Sequence, residues 1–542
     1  MASPPEIDFA PNPSATETPR KAAQSCQFKS GCSRCCESCC CFFIFFCSFL
    51  ALCFTGLTQV NYRLNIGATF AKALWNPMLC VLLLGSIFAH LTAYFVGLFC
   101  PCCTSDTTKE GRKRSDTCCP LDCYPRCGGR YRRTILVVLT LNMFLVLIPI
   151  WAVTATTGHW LANGSVERIF GQPSYASSRK FSRKTPYNFV DHLFWFLQPQ
   201  LNPVLSEQRT LTSTHRYKNI TDLPPNPNGD ALSFMTASSP FTKKYLELDL
   251  YHPKDVEGSS WKEKSEGLDS LPPVVFHIHG GAFVQFDKSF TAMPIISYQK
   301  QGYAVISIQY RLTPYGWNSW DIAEDLIDAF LWLRENDKKL QVDGTRIVMV
   351  GESAGGFASS FLCYLFSANK ETWTSTHSSA AGVNGRDLLF QRIGEEKRIK
   401  GCLNMYAATE LIEFLNEKVE NWDMVRMRVP ILTRVMLSRN RTRLGPEIKW
   451  RELMELNSRY FSCPSFVTST SPPTLSFHGA DDVVVPPSMS IRLHEALDKA
   501  NVTNAISIMG MNGHNFDMGE YSAGGQVSWY AFERFLAAVM PV

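Results

Sequence analysis

The sequence predicts an α/β protein, a doubly wound and mostly parallel sheet with cap segments, preceded by three transmembrane helices. Three observations predict it. Three apolar runs of about 20 residues lie in the first 160 positions, each long enough to cross a bilayer core of about 30 Å as a helix. Beyond residue 245, short apolar runs alternate with stretches of helical spacing, as a parallel sheet flanked by helices requires. Cysteine is divided sharply: 17 of the 20 lie at or before Cys127, and only Cys363, Cys402 and Cys463 lie beyond. A secreted domain built on disulfides spreads its cysteines through the fold; here they mark a separate N-terminal region.

The predicted spans are residues 40–60, 78–99 and 134–155. None carries Asp, Glu, Lys or Arg, and none shows the polar stripe of a helix packed in a soluble core. A cleaved signal peptide does not fit, because the first span begins late, after a polar tail and a cysteine cluster. The loop between the second and third spans holds Lys109, Arg112, Lys113, Arg114, Arg126, Arg130, Arg132 and Arg133, whereas that between the first two holds Arg63 and Lys72. Positive charge stays on the cytosolic side. Residues 1–39 then form a cytosolic cysteine-rich tail, and residues 40–158 a three-span anchor whose basic, cysteine-rich loop (100–133) is also cytosolic. Everything after about residue 158 faces the lumen or the cell exterior, with the endoplasmic reticulum or another endomembrane as the expected location. Glycosylation sequons begin at Asn163, Asn219, Asn440 and Asn501, all on that predicted side. Thiols beside a membrane in a reducing compartment are candidates for S-acylation. Cys32 with Cys35 and Cys36 with Cys39 also have zinc-site spacing, but no clean second pair at finger spacing stands out, and no metal or cofactor is expected. A net charge of +5 over 542 residues, with no clustered basic face, excludes a nucleic-acid binder. Oligomeric state is not legible.

Residues 159–240 are polar and rich in Ser, Pro and Asn. They read as a linker or cap segment, interrupted by one apolar stretch at 189–197 suited to a short amphipathic helix. The catalytic domain is placed at 241–542. Its strands are expected at 245–251, where the alternation has period two, and at 273–279, 303–310 and 346–350, which are short apolar runs. A helix is expected at 320–333. A cap insertion is placed near 407–471.

Three sites in this domain carry chemistry. Gly351-Glu352-Ser353-Ala354-Gly355 follows a strand and precedes a helical stretch. In such a sharp turn, small neighbours permit the backbone that lifts the Ser353 hydroxyl clear of the sheet. His279-Gly280-Gly281-Ala282-Phe283 also follows a strand. Its glycines let the backbone approach a reacting carbonyl, so the N–H groups of Gly280 and Gly281, with that of Ala354, are the expected donors to an oxyanion. His279 is expected to orient that loop. Serine needs a base and the base an orienting carboxylate. Downstream, a strand runs into a loop bearing Asp481 and Asp482, and a last strand is followed by His514. His514 is the expected base. His494 falls within a helical run and reads as a surface histidine. The acid is Asp482 or Asp481, with Asp482 preferred.

Together, residues 277–283, 310–314 (Tyr-Arg-Leu-Thr-Pro), 351–356, 478–486 and 513–514 resemble the α/β-hydrolase fold. Within it they are similar to the hormone-sensitive-lipase type, including arylacetamide deacetylases and related carboxylesterases. The resemblance covers roughly residues 240–542. It implies Asp482 as the acid, because the family loop runs His-Gly, two residues, then Asp. Glu352 departs from it, since the lipase-like group more often has Asp there.

The expected activity is that of a membrane-anchored serine carboxylic-ester hydrolase. It would act on a lipophilic ester (acylglycerol, sterol ester or acetyl ester) beside the lipid bilayer, through an acyl-enzyme. Two other classes compete. A serine peptidase would bring propeller repeats or an acidic pair for an amino terminus, and neither is visible. An inactive binding module would lack a member of the serine–histidine–acid set, and all three are present.

Overall fold

A computed structural model of the chain describes residues 164–171, 183–188, 211–222, 244–253, 271–290, 295–315, 317–368, 398–411, 413, 449, 460–482, 484–510, 512–517 and 522–541. They all fall in one compact unit. The predicted spans, the cysteine clusters, the apolar stretch at 189–197, and the sequons at Asn163 and Asn440 lie outside them. Among the described residues no helix is long and apolar enough to cross a membrane.

An eight-stranded sheet organises this unit. Its strands are β1 (Ser213–Asn219), β2 (Tyr245–Tyr251), β3 (Pro273–Ile278), β4 (Ala304–Ile308), β5 (Asp343–Glu352), β6 (Ile399–Met405), β7 (Thr474–Gly479) and β8 (Asn504–Met509), in the order β1-β2-β4-β3-β5-β6-β7-β8. β2 pairs antiparallel with both neighbours. The other pairings are parallel. That order with one reversed strand is the topology of the α/β-hydrolase fold.

Apolar side chains on both faces make the central strands buried throughout. Along β3, Val274, Phe276 and Ile278 join one core while Val275 joins the other; β5 splits Ile347 and Met349 from Val348 and Val350 in the same way. The first core is covered by α3 (Ser319–Leu340), α4 (Ala354–Ser367) and α5 (Ser488–Lys499), the second by α1 (Ser165–Phe170), α2 (Ile295–Gln301) and α6 (Ala523–Val539). Asn318 starts α3 with a reciprocal cap: its side chain accepts from the N–H of Trp320 and Asp321, and Asp321 accepts in return from the Asn318 N–H. Such a box satisfies N–H groups that a helix start otherwise leaves open.

The folded domain begins earlier than the expected boundary at 241. β1 and α1 both come from the segment read as linker or cap: β1 forms the edge of the sheet, and Phe170 of α1 packs edge-on against Phe535 of α6 at 4.8 Å. The ends of the expected insertion at 407–471 are core as well. Leu411, Tyr460, Phe461, Cys463 and Phe466 are buried, and the Leu411 and Cys463 N–H groups donate to Phe461 and Thr409. The segments 414–448 and 450–459 lie outside the described residues. His494 is not a surface histidine. It is 3% exposed, bonded to Ser476 and Asn504 at 2.7 and 2.6 Å, and burial lowers its pKa to about 4. Asn219 and Asn501, the two described sequon residues, are exposed.

Candidate active site

β5 ends at Glu352, and α4 begins at Ala354. Ser353, between them, has φ 55° and ψ −119°, a conformation few non-glycine residues adopt. The reversal requires its glycines. A Cβ on Gly351 would lie 2.2 Å from the Gly355 carbonyl oxygen, and one on Gly355 would lie 2.0 Å from that of Ile278. β3, β5 and the start of α4 therefore meet at backbone contact, with only hydrogen atoms between them. The Ser353 N–H donates to the Met405 carbonyl at 2.9 Å, tying the turn to the end of β6.

His514 and Asp482 arrive at this turn from the loops after β8 and β7. His514 Nε2 lies 2.9 Å from Ser353 Oγ, and its Nδ1 lies 2.7 Å from Asp482 Oδ2. Asp482, and not its neighbour Asp481, meets the imidazole. It is completely buried as a side chain and held from several sides. Oδ1 accepts from the N–H groups of Val484 and Val485 at 2.8 and 2.9 Å, and His478 Nε2 stands 3.2 Å from Oδ2. Burial alone would raise the pKa of this carboxyl. The charge of His514 and hydrogen bonds from His478 and His514 outweigh it and hold the group well below the usual carboxylate range. An ionised Asp482 can only accept, so His514 Nδ1 carries the proton and Nε2 is left to accept from Ser353. His478 is fixed in turn, donating from Nε2 to the Val485 carbonyl at 2.9 Å and contacting Ser490 Oγ at 2.7 Å.

The glycine loop after β3 lies beside the serine. A Cβ on Gly280 would be 2.8 Å from the Glu352 carbonyl oxygen and 3.5 Å from Ser353 Cβ. Gly281 has φ 108°, and Ala282 and Phe283 are also left-handed. Among the described residues, no backbone carbonyl accepts from the Gly280 or Gly281 N–H; Ala354, as the first helical residue, has no partner within α4. His279 is buried within this loop. Its Nδ1 donates to the Gly280 carbonyl at 2.7 Å, its ring stacks on Tyr310 at 4.3 Å, and burial pushes its pKa down to about 4. Tyr310 Oη donates to the His279 carbonyl at 2.9 Å, and the Thr313 N–H donates to that of Phe283, so the 310–314 motif braces the loop. Glu352 points away from the serine, into a buried contact with His277 Nε2 at 3.1 and 3.2 Å.

Sequence reasoning missed three polar residues here. His478 holds Asp482. Tyr406 lies with its ring 4.4 Å from that of His514. Asp517, fully buried, accepts from Tyr406 Oη at 2.5 Å, and burial, reinforced by Glu352, raises its pKa to about 7. His478 stood inside a quoted motif; Tyr406 and Asp517 carried no local signal. An apolar pocket lined by Phe283, Ile322, Leu326, Phe357, Phe361 and Phe461 adjoins the glycine loop and α4. No group of side chains able to hold a metal occurs among the described residues.

A family model described as BD-FAE, an α/β-hydrolase esterase family, matches residues 263–497. That range includes Ser353 and Asp482 and ends before His514. Curated relatives include ethyl acetate hydrolase of Pseudomonas putida, 32% identical over 18% of this chain and 30% of that protein. Esterase LipC of Mycobacterium tuberculosis is 24% identical over 48% of this chain and 56% of its own. Liver carboxylesterase B-1 of Rattus norvegicus is 30% identical over 22% and 21%. The alignments thus span about half, or less, of these relatives' lengths. Among solved structures, esterase 2 of Thermogutta terrifontis aligns with 61% of this chain and 95% of its own at 17% identity and a TM-score of 0.40. Esterase B of Lactobacillus rhamnosis aligns with 64% and 95% at 14% identity and a TM-score of 0.41.

The Asp482 geometry predicts a pH dependence of stability. Its folded pKa lies below the unfolded value of about 3.9, so its contribution is fully present above about pH 4 and is lost as pH falls toward the folded value. Asp482→Asn should lower Tm at pH 7 and give a shallower fall of Tm between about pH 4 and 2; parallel melting curves for the two proteins over that range would contradict this.

Proposed function

We propose that the chain is a serine carboxylic-ester hydrolase anchored in a membrane and acting on lipophilic esters. One observation carries the hydrolytic reading: the Ser353 hydroxyl, the His514 imidazole and the ionised Asp482 carboxylate stand in one hydrogen-bonded line at 2.9 and 2.7 Å. His514 takes the Ser353 proton as Oγ attacks the ester carbonyl. The N–H groups of Gly280, Gly281 and Ala354 receive the oxyanion. The imidazolium, held by Asp482, gives its proton to the departing alcohol. Water, activated by the same imidazole, then releases the acid and restores Ser353. His279, which burial keeps neutral, shapes the loop and moves no proton.

The matched family model and the esterases among the relatives support an ester over an amide as substrate. The three apolar runs before residue 158 support membrane anchoring, and the basic loop at 109–133 supports a lumenal or extracellular site. Acylglycerol, sterol ester and acetyl ester all meet these requirements.

A fluorophosphonate probe should label the native protein, and Ser353→Ala should abolish labelling and lower kcat by about 10⁶-fold. A folded wild-type protein that takes no label would remove the hydrolytic reading. For topology, the protein made in a eukaryotic host should lose mass on treatment with an N-glycosidase; sequons that stay unmodified would count against the lumenal assignment.

A further inference from the structure

Tyr406 and Asp517 are buried beside the proton-transfer line and take no part in the chemistry above. Tyr406 follows β6 directly and has φ 38°, a left-handed conformation for a bulky residue. Such a backbone persists only where its surroundings over-determine it, and the fixing contacts are visible. Its own N–H donates to the Phe477 carbonyl of β7 at 2.8 Å, while the carbonyl just before it, that of Met405, accepts from the Ser353 N–H at 2.9 Å. Tyr406 therefore stands between the strand that leads to Asp482 and the turn that carries Ser353.

Its side chain reaches the third member. The ring lies 4.4 Å from the His514 imidazole, tilted by 57°, and meets Phe516 edge-on at 5.4 Å. The phenol donates to Asp517 Oδ1 at 2.5 Å, and Asp517 Oδ2 has no hydrogen-bond partner among the described residues. A phenylalanine at 406 would fill the same space without a buried carboxyl, and a carboxyl buried with one bonded oxygen is unfavourable. Packing alone does not account for the pair. A fixed ring against the imidazole does, because His514 must keep Nε2 on Ser353 and Nδ1 on Asp482 while it takes up and gives back a proton twice in a turnover.

We propose that Tyr406 is a positioning residue for His514, its ring fixed by Asp517 so that the imidazole cannot swing out of line between successive proton transfers. This rests on the reading of Ser353 and His514 as nucleophile and base. The charged and titratable groups around Asp517 are Glu352, Tyr406, His514 and Tyr298. Burial and Glu352 favour its neutral form, so a neutral amide at 517, which still accepts from the phenol, should preserve the device.

The test uses the full-length protein, a fluorophosphonate probe and a water-soluble p-nitrophenyl ester. Tyr406→Phe and Asp517→Ala should each slow labelling and lower kcat by about tenfold, with KM changed less than about twofold. The double variant should be no slower than either single one, as for residues acting as a unit. Asp517→Asn should keep the wild-type rate. Tyr406→Phe changes one oxygen atom, so its melting temperature should stay close to that of the wild type. Labelling within about twofold of wild type in both Tyr406→Phe and Asp517→Ala would overturn the proposal, as would failure of Asp517→Asn to retain the rate or a loss confined to KM. Absence of labelling in the wild type would overturn it together with the hydrolytic reading, whereas a labelled wild type with unaffected variants sinks only the positioning role.

Discussion

The backbone at Ser353 is the constraint from which the rest of the domain follows. One residue turns a ten-residue strand into a fourteen-residue helix, and it does so at φ 55° and ψ −119°. A conformation of that kind costs about 1–3 kcal/mol and must be held from outside. The holding groups are backbone. Gly355 lies against the end of β3, Gly351 against Gly355, and Gly356 against Ala407 at the end of β6. The Met405 carbonyl anchors the Ser353 N–H. Three adjacent parallel strands thus deliver their C-terminal ends to one point, where ligands gather in open α/β sheets, and the loops after β3, β7 and β8 supply the remaining groups.

Three carboxyls lie buried around this turn, and the fold treats each differently. Asp482 is given two backbone N–H groups and two imidazoles, and stays ionised. Glu352 is paired with His277, which ties β5 to β3 and turns Glu352 away from Ser353. Asp517 receives one phenol, and burial favours its protonated form. Donor supply, more than burial, separates Asp482 from Asp517: both are nearly or wholly inaccessible, yet the well-supplied Asp482 is drawn below its ordinary range and the poorly supplied Asp517 is pushed above it. Away from the site, the fully buried Asp325 is also met by cations, with Arg311 Nε at 2.7 Å and Lys218 Nζ at 2.8 Å, as a buried charge requires.

The residues read most directly from sequence are those whose chemistry is local. Ser353 is announced by its flanking glycines, and His514 is one of few histidines downstream. Asp481 and Asp482 are adjacent acids in one loop; what separates them is which carboxylate faces His514 while its backbone neighbours fold over it. β1 escaped because an edge strand buries little. Of its seven residues only Tyr217 is buried, so a polar sequence pairs with β2 through its backbone. His494 escaped because a helical period does not reveal that Ser476 and Asn504 wait on the facing strands. Tyr406 and Asp517 are 111 positions apart, and neither has a neighbour in sequence that marks it. The fold also begins earlier than the local pattern suggests, because α1 joins it through α6, far along the chain, and β1 through its pairing with β2.

The central claim is that Ser353 Oγ becomes covalently acylated with His514 as its base. Rapid quenching of the full-length protein with a p-nitrophenyl ester, followed by peptide mass analysis, tests it most directly. The acyl mass should appear on the peptide carrying Ser353 within the first turnover and should be absent from Ser353→Ala and strongly reduced in His514→Ala. Ester turnover that continues undiminished in Ser353→Ala, or an acyl group found on a different residue, would contradict it.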